Sequence, residues 1–166
     1  MIDLSPAHAA DRIAKLLGTP ETRTLHFKRI SDKHKKIIET VCAFANSEGG
    51  LLALGVGDAK DLKAGDKPQS RLWGVEENPE GFDDLRRLLL QRFTPALPRL
   101  HWLRMPCTLR DGKPGHVVLL RVEKSNQVHS VVGNGTWTRM DASNRELSAA
   151  EIADLTYQRG VKSAET

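Results

Sequence analysis

The chain has 166 residues, 39% of them hydrophobic and 28% charged. That size and balance suit one globular domain able to bury its own core, and point away from a disordered chain. No apolar run approaches the roughly 20 residues of a membrane-spanning helix, and the opening residues lack the core of a secretion signal, so a cytoplasmic protein without membrane contact is expected. Cys42 and Cys107 are far apart and form no CxxC, which argues against a disulfide framework or a zinc knuckle. The 25 Lys and Arg against 21 Asp and Glu leave a formal charge of +4, too mild to name a partner. The distribution of charge along the chain says more than the sum.

In chain order, Ser5 as N-cap and Pro6 in the first turn predict a helix that stops before Gly18. "TLHFKRI" (24–30) reads as a short strand. A second helix opens near Ser31 or Asp32 and puts Ile37, Ile38, Val41, Cys42, Phe44 and Ala45 on one face. Gly49 and Gly50 end it. "LLALGV" (51–56) is apolar throughout, the pattern of a strand buried on both faces.

A polar loop over 57–70 precedes "RLWGVEE", which reads as a short strand. A third helix is predicted from Pro79 to Phe93, with Phe82, Leu85, Leu88 and Leu89 inward and Pro95 as its breaker. "LHWLRMPCTL" and "HVVLLRV" flank Asp111-Gly112, a hairpin signal. "VHSVV" and "TWTRM" flank Gly133-Asn134-Gly135 and predict a second hairpin. Ser148 with Glu151 forms a capping box for a last helix that closes at Gly160. The order of elements predicts a single α+β domain, a mixed sheet with flanking helices. Residues 1–18 form an N-terminal helix on a main domain of 19–166.

Glycines near residue 50 invite a nucleotide-site reading, which fails. No G-x-x-x-x-G-K-[ST] string is present, and Lys60 stands where a dinucleotide fingerprint needs its third glycine. A helix stop and close strand packing account for these glycines better. "KRISDKHKK" (28–36) is the sharper signal, with Lys28, Arg29, Lys33, Lys35 and Lys36 against Asp32 alone. Cations in a helix's first turn oppose its dipole, yet with the free N–H groups there they suit an anion. A solvated helix start is the bland alternative. Asp58, just past the apolar strand, is either a turn residue or a carboxylate directed at a partner.

The string Ala43-Phe44-Ala45-Asn46-Ser47, then Gly49-Gly50 and Gly55-Val56-Gly57-Asp58, resembles the Schlafen-type AlbA-like domain family. There an E-S-x-x-x-E-F-K stretch precedes a helix ending A-F-A-N-[TS]-x-G-G and a strand ending G-V-x-D. Glu21, Thr22, Phe27 and Lys28 match the first part, and "TWTRMDASNRELSAAEI" is similar to the family's closing segment. The resemblance implies an AlbA-like lobe that binds RNA or DNA, with Lys28, Arg29, Lys33, Lys35, Lys36 and Arg139 as phosphate contacts. Some members are metal-dependent ribonucleases acting on transfer and ribosomal RNA through two glutamates and the aspartate after the strand.

Carried over by position, that catalytic and metal-binding set is Glu21, His26 and Asp58, with a divalent ion, magnesium or manganese, as cofactor. His26 replaces the second glutamate, which removes a negative charge and an oxygen ligand suited to magnesium. Three readings follow: a nucleic-acid-binding domain, an endoribonuclease with an altered site, or an ATP-binding or regulatory module. Paired Schlafen lobes imply a homodimer as the way for this chain to form a comparable groove.

Overall fold

The computed structural model describes residues 2–5 and 8–165, with side chains as far as Val161. Its first half contains α1 (Ala9–Leu17), β1 (Leu25–Lys28), α2 (His34–Ala45), β2 (Gly50–Leu54) and α3 (Pro79–Gln91). The second half contains β3 (Phe93–Thr94), β4 (His101–Thr108), β5 (Pro114–Val122), β6 (Ser130–Val131), β7 (Trp137–Met140), β8 (Ser143–Glu146) and α4 (Ala149–Glu165). β1 and β2 are parallel, Leu25 opposite Leu51 and Lys28 opposite Leu54. A parallel pair needs a crossover, and α2 supplies it. β5 runs antiparallel to β2 and β4 antiparallel to β5, giving a mixed sheet of order β1-β2-β5-β4. This is the α+β architecture the sequence predicts.

Alternation along the strands explains why the central ones are apolar throughout. Leu52 and Leu54 of β2 join Val118, Leu120 and Val122 of β5 beneath α2 and α3. Leu51 and Ala53 point the other way, with Leu25, Phe27, Met105, Val117 and Leu119, against Ile13 and Leu16 of α1. Both faces are covered, so no position of β2 can be polar. Phe44 is 0% exposed in the α2 layer. A Cβ on Gly50 would lie 2.5 Å from the Phe44 ring, so this glycine serves close packing. Gly49 is the helix stop: its φ is 79°, and its N–H bonds Phe44 O at 2.8 Å.

Several elements depart from the sequence reading. α1 starts at Ala9 with His8 as its N-cap, and the Ser5 N–H bonds Asp3 Oδ1 at 3.0 Å; Pro6 lies outside the described residues. α2 starts at His34, because the Asp32 carboxylate accepts from Arg29 N at 2.8 Å and caps nothing. "RLWGVEE" is no strand. It holds parts of two 3-10 turns, Pro68–Arg71 and Val75–Glu77, interrupted by Gly74 at φ 75°. α3 ends at Gln91, and Phe93 begins β3.

The second hairpin is reduced to its turn, one antiparallel bridge between Val131 and Gly135, with no ladder beyond it. β6 pairs with β3, and β7 pairs with β8. Asn46 separates the two expected partners. Its Nδ2 donates to His129 O at 2.8 Å and Trp137 O at 2.9 Å, while its Oδ1 accepts from His129 N at 2.8 Å. Backbone groups that a hairpin ladder would use are spent on this side chain.

Ser148 and Glu151 do form the capping box, at 3.0 and 3.2 Å. α4 then runs through Gly160 to Glu165. Arg159, buried beside that glycine, donates to Asn46 O, Ser47 O and Ser125 O and fixes the helix to the end of α2. Cys42 and Cys107 are free, and burial pushes the Cys42 thiol up to about 11. Among the described residues no helix is long and apolar enough to cross a membrane.

Candidate nucleic-acid interface

The carboxyl ends of β1 and β2 are neighbours, because the two strands are parallel and in register. Lys28 and Arg29 leave one strand there, and Gly55 to Asp58 leave the other. Glu21 reaches the same end from the loop before β1. Its Oε1 accepts from Phe27 N at 3.2 Å, and its Oε2 lies 3.3 Å from His26 Nδ1. The ring is not aligned for a hydrogen bond, so His26 Nδ1 is buried without a hydrogen-bond partner. Asp58 Oδ1 accepts from Lys60 N at 2.9 Å and caps a 3-10 turn at Ala59–Asp61. Asp58 is thus a turn cap that also faces a site: Glu21, Asp58, Lys60 and Arg71 line one cavity of about 480 Å³.

Burial, then the charges of Arg139 and Lys28, hold the His26 imidazole neutral with a pKa of about 3. Burial raises the Glu21 carboxyl, and the charge of Asp58 adds to that. Arg71 is 4% exposed, donating Nε to Gly57 O at 2.9 Å and Nη1 to Leu17 O at 3.1 Å. Its Nη2 is buried and unpartnered.

Oxygen ligands for magnesium need free, anionic carboxylates. Here Glu21 and Asp58 each have one oxygen held by a backbone N–H, and the third member is a neutral imidazole beside cations. Among the described residues no group of three His, Cys, Asp or Glu side chains could hold a metal ion. Glu21, His26 and Asp58 come together in space, but their present arrangement does not fit a magnesium site.

His26 gives a stability prediction. In the unfolded chain it protonates near 6.5, but in the fold only near 3, so between these values the unfolded state binds the extra proton. Stability should therefore fall as pH falls through that window, by at most ~1.4 kcal/mol per pH unit. Glu21 works in the opposite sense above its ordinary pKa, since a raised carboxyl loses stability as pH rises. His26→Asn should accordingly flatten the loss in urea midpoint between about pH 7 and about pH 5. An unchanged slope would show that His26 takes up its proton in the folded state.

The predicted phosphate contacts divide. Lys33, Lys35 and Lys36 are exposed at the start of α2, whose first turn holds no acid. Lys36 also lies 3.8 Å from Glu39, which is 2% exposed. His34 and Lys35, with Arg92 from the end of α3, line a cleft of about 320 Å³ that has no acidic side chain in its wall. His34 went unnoticed in the sequence, as did the closeness of Arg92, because helix periodicity does not report which helix ends meet. Lys28 is half-buried at the end of an edge strand. Arg29 is ion-paired to Glu77 and stacked on Trp73 at 3.5 Å.

Arg139 does not join the lysines. It is 3% exposed and donates to Thr22 O at 2.6 Å, Arg23 O at 3.2 Å and Asn144 Oδ1 at 2.9 Å. Its guanidinium also lies 5.0 Å from the Phe44 ring. Burial and these bonds correct its expected phosphate role: it positions the loop that carries Glu21. Arg71, which the sequence reading missed, has a faint signal as an arginine opening the apolar "RLWGV".

Fold and site together define a small α+β lobe with a basic helix start and a carboxylate-bearing cavity. Residues 21–148 match the model of the Schlafen AlbA_2 domain, and the chain belongs to that family. No curated protein matches it. Solved structures that share the fold include two from bacteria. The N-terminal domain of an ATP-dependent DNA helicase RecG-related protein from Nitrosomonas europaea is 24% identical, with a TM-score of 0.51, over 86% of this chain and 95% of that one. The DIP2311 protein from Corynebacterium diphtheriae is 19% identical, with a TM-score of 0.54, over 82% of this chain. The chain spans only 27% of the length of the Corynebacterium protein.

Proposed function

We propose that this domain binds nucleic acid, RNA or DNA, through phosphate contacts centred on the start of α2. The observation that carries the reading is the exposed set Lys33, Lys35 and Lys36 on a first turn without an acid. Such a turn is destabilised by its own charges and relieved by an anion. The cleft of His34, Lys35 and Arg92 extends the cationic surface towards the end of α3. Family membership supports the reading, as does the fold shared with a domain of a protein named for a DNA helicase. Lys28 and the remaining donors of Arg29 continue the basic surface towards Asp58. Two copies with their basic faces joined would offer a longer groove than one chain.

A second reading, metal-dependent RNA cleavage, draws on Glu21 and Asp58 lining one cavity. It requires Glu21 and Asp58 to be released from their present hydrogen bonds. One experiment addresses both readings: the protein is mixed with labelled RNA and duplex DNA, with magnesium, manganese or a chelator, over a salt series. Binding that weakens linearly in log salt, with intact strands in every arm, is the expected result. Absence of binding at low salt would overturn the proposal. Cleavage that stops with chelator would move the conclusion to the second reading.

A further inference from the structure

Trp73 is covered by two arginines. The Arg29 Cζ lies 3.5 Å and the Arg110 Cζ 3.8 Å from the centroid of its ring. A guanidinium arriving edge-on would keep its central carbon farther away, so both are stacked flat. Two guanidinium carbons cannot approach one ring this closely from one side, so they occupy opposite faces. Arg29 is fixed from behind by Glu77. Arg110 is anchored through its backbone, with its N–H on Leu72 O at 2.9 Å, and is exposed to solvent.

Among the described residues Arg110 forms no ion pair. Asp111, next to it in sequence, accepts from Lys113 N at 3.0 Å through Oδ1, while Glu77 pairs with Arg29 and Glu76 with His116 and Arg104. The stack also adjoins the carboxylate cavity. Gly57, next to Asp58, packs so closely that a Cβ there would lie 3.0 Å from Trp73 Nε1.

A surface arginine without a carboxylate usually moves freely. This one has its plane set by an indole, one face covered and the other open. Planar guanidinium faces are platforms on which unpaired bases stack, and the charge also favours the adjoining phosphate. Bases in a duplex have their faces buried against each other and cannot use such a platform.

We propose that Arg110, held flat on Trp73, is a stacking shelf for an unpaired nucleobase, so that the substrate class is single-stranded nucleic acid. The proposal rests on the nucleic-acid reading above and adds to it a contact with the base.

The test uses the whole chain and three fluorescent probes: a short oligouridylate, an abasic ribose-phosphate strand of the same length, and a duplex. The oligouridylate should bind about 5- to 160-fold more tightly than the abasic strand, the range for one base stacked on an aromatic side chain. Arg110→Lys keeps the charge and loses the plane, so it should close that gap, read as the ratio of the two affinities for each protein. Arg110→Gln should lose the gap as well, and thermal melting of both variants reports that the exposed change leaves the fold intact. Equal binding of the base-bearing and abasic strands by wild type, or a gap that survives Arg110→Lys, would overturn the shelf and leave phosphate binding standing. Failure of wild type to bind any of the probes would overturn the nucleic-acid reading itself, and the shelf with it.

Discussion

Changing Lys33→Glu and Lys35→Glu together with Lys36→Gln should lower nucleic-acid affinity on the order of 100-fold at low salt. Each phosphate contact releases condensed counterions, so removing three should reduce the slope of log affinity against log salt by about 2 on single strands and about 2.7 on duplex. Stability should hold or rise, because acids in a first turn complement the helix dipole by about 0.3–1 kcal/mol each. Lys36 is only neutralised for a structural reason. Its Nζ lies 3.8 Å from the buried Glu39, and a glutamate there would face a like charge with little solvent between. Titration by fluorescence anisotropy over a salt series checks the prediction. An unchanged slope would remove α2 from the binding surface.

Phe44→Ala should cost about 3–5 kcal/mol of unfolding free energy, read from urea denaturation. The ring is 0% exposed beneath the sheet, and its neighbours are poorly placed to collapse into the space it leaves. Gly50 approaches it as backbone, and β2 is held on both sides by β1 and β5. Arg139 would also lose the aromatic face 5.0 Å from its guanidinium while remaining buried. The damage should therefore spread to the Thr22–Arg23 carbonyls that Arg139 holds, and so to the loop of Glu21. Phe44→Leu, which retains most of the volume, should cost much less. A loss below about 1 kcal/mol for the alanine variant would mean that the core closes over the gap.

Short-range signals determined much of this protein. The run "LLALGV" identified a central strand because a position covered on both faces has to be apolar, and β2 is buried throughout. The α2 periodicity found the core face, Asp111-Gly112 found the β4–β5 turn, and Ser148 with Glu151 found the start of α4. The lysines of α2 were legible because exposure at a helix start follows from the local pattern. Glu21, His26 and Asp58 were placed together by a resemblance, and the register of the parallel pair explains why they meet.

Tertiary structure alone decided the rest, because the deciding partners are far apart along the chain. Asn46 reaches His129 and Trp137, so the turn that the glycines at 133 and 135 suggested does not extend into a ladder. Arg139 looked like one more surface cation on an alternating strand, yet it is buried on carbonyls more than a hundred residues away in sequence. Arg29 and Arg110 share one indole although one follows β1 and the other lies in the β4–β5 turn. An arginine's charge is visible in any sequence. Whether that charge meets solvent, a carbonyl or an aromatic face depends on which distant backbone the fold brings to it, and local propensity carries no record of that.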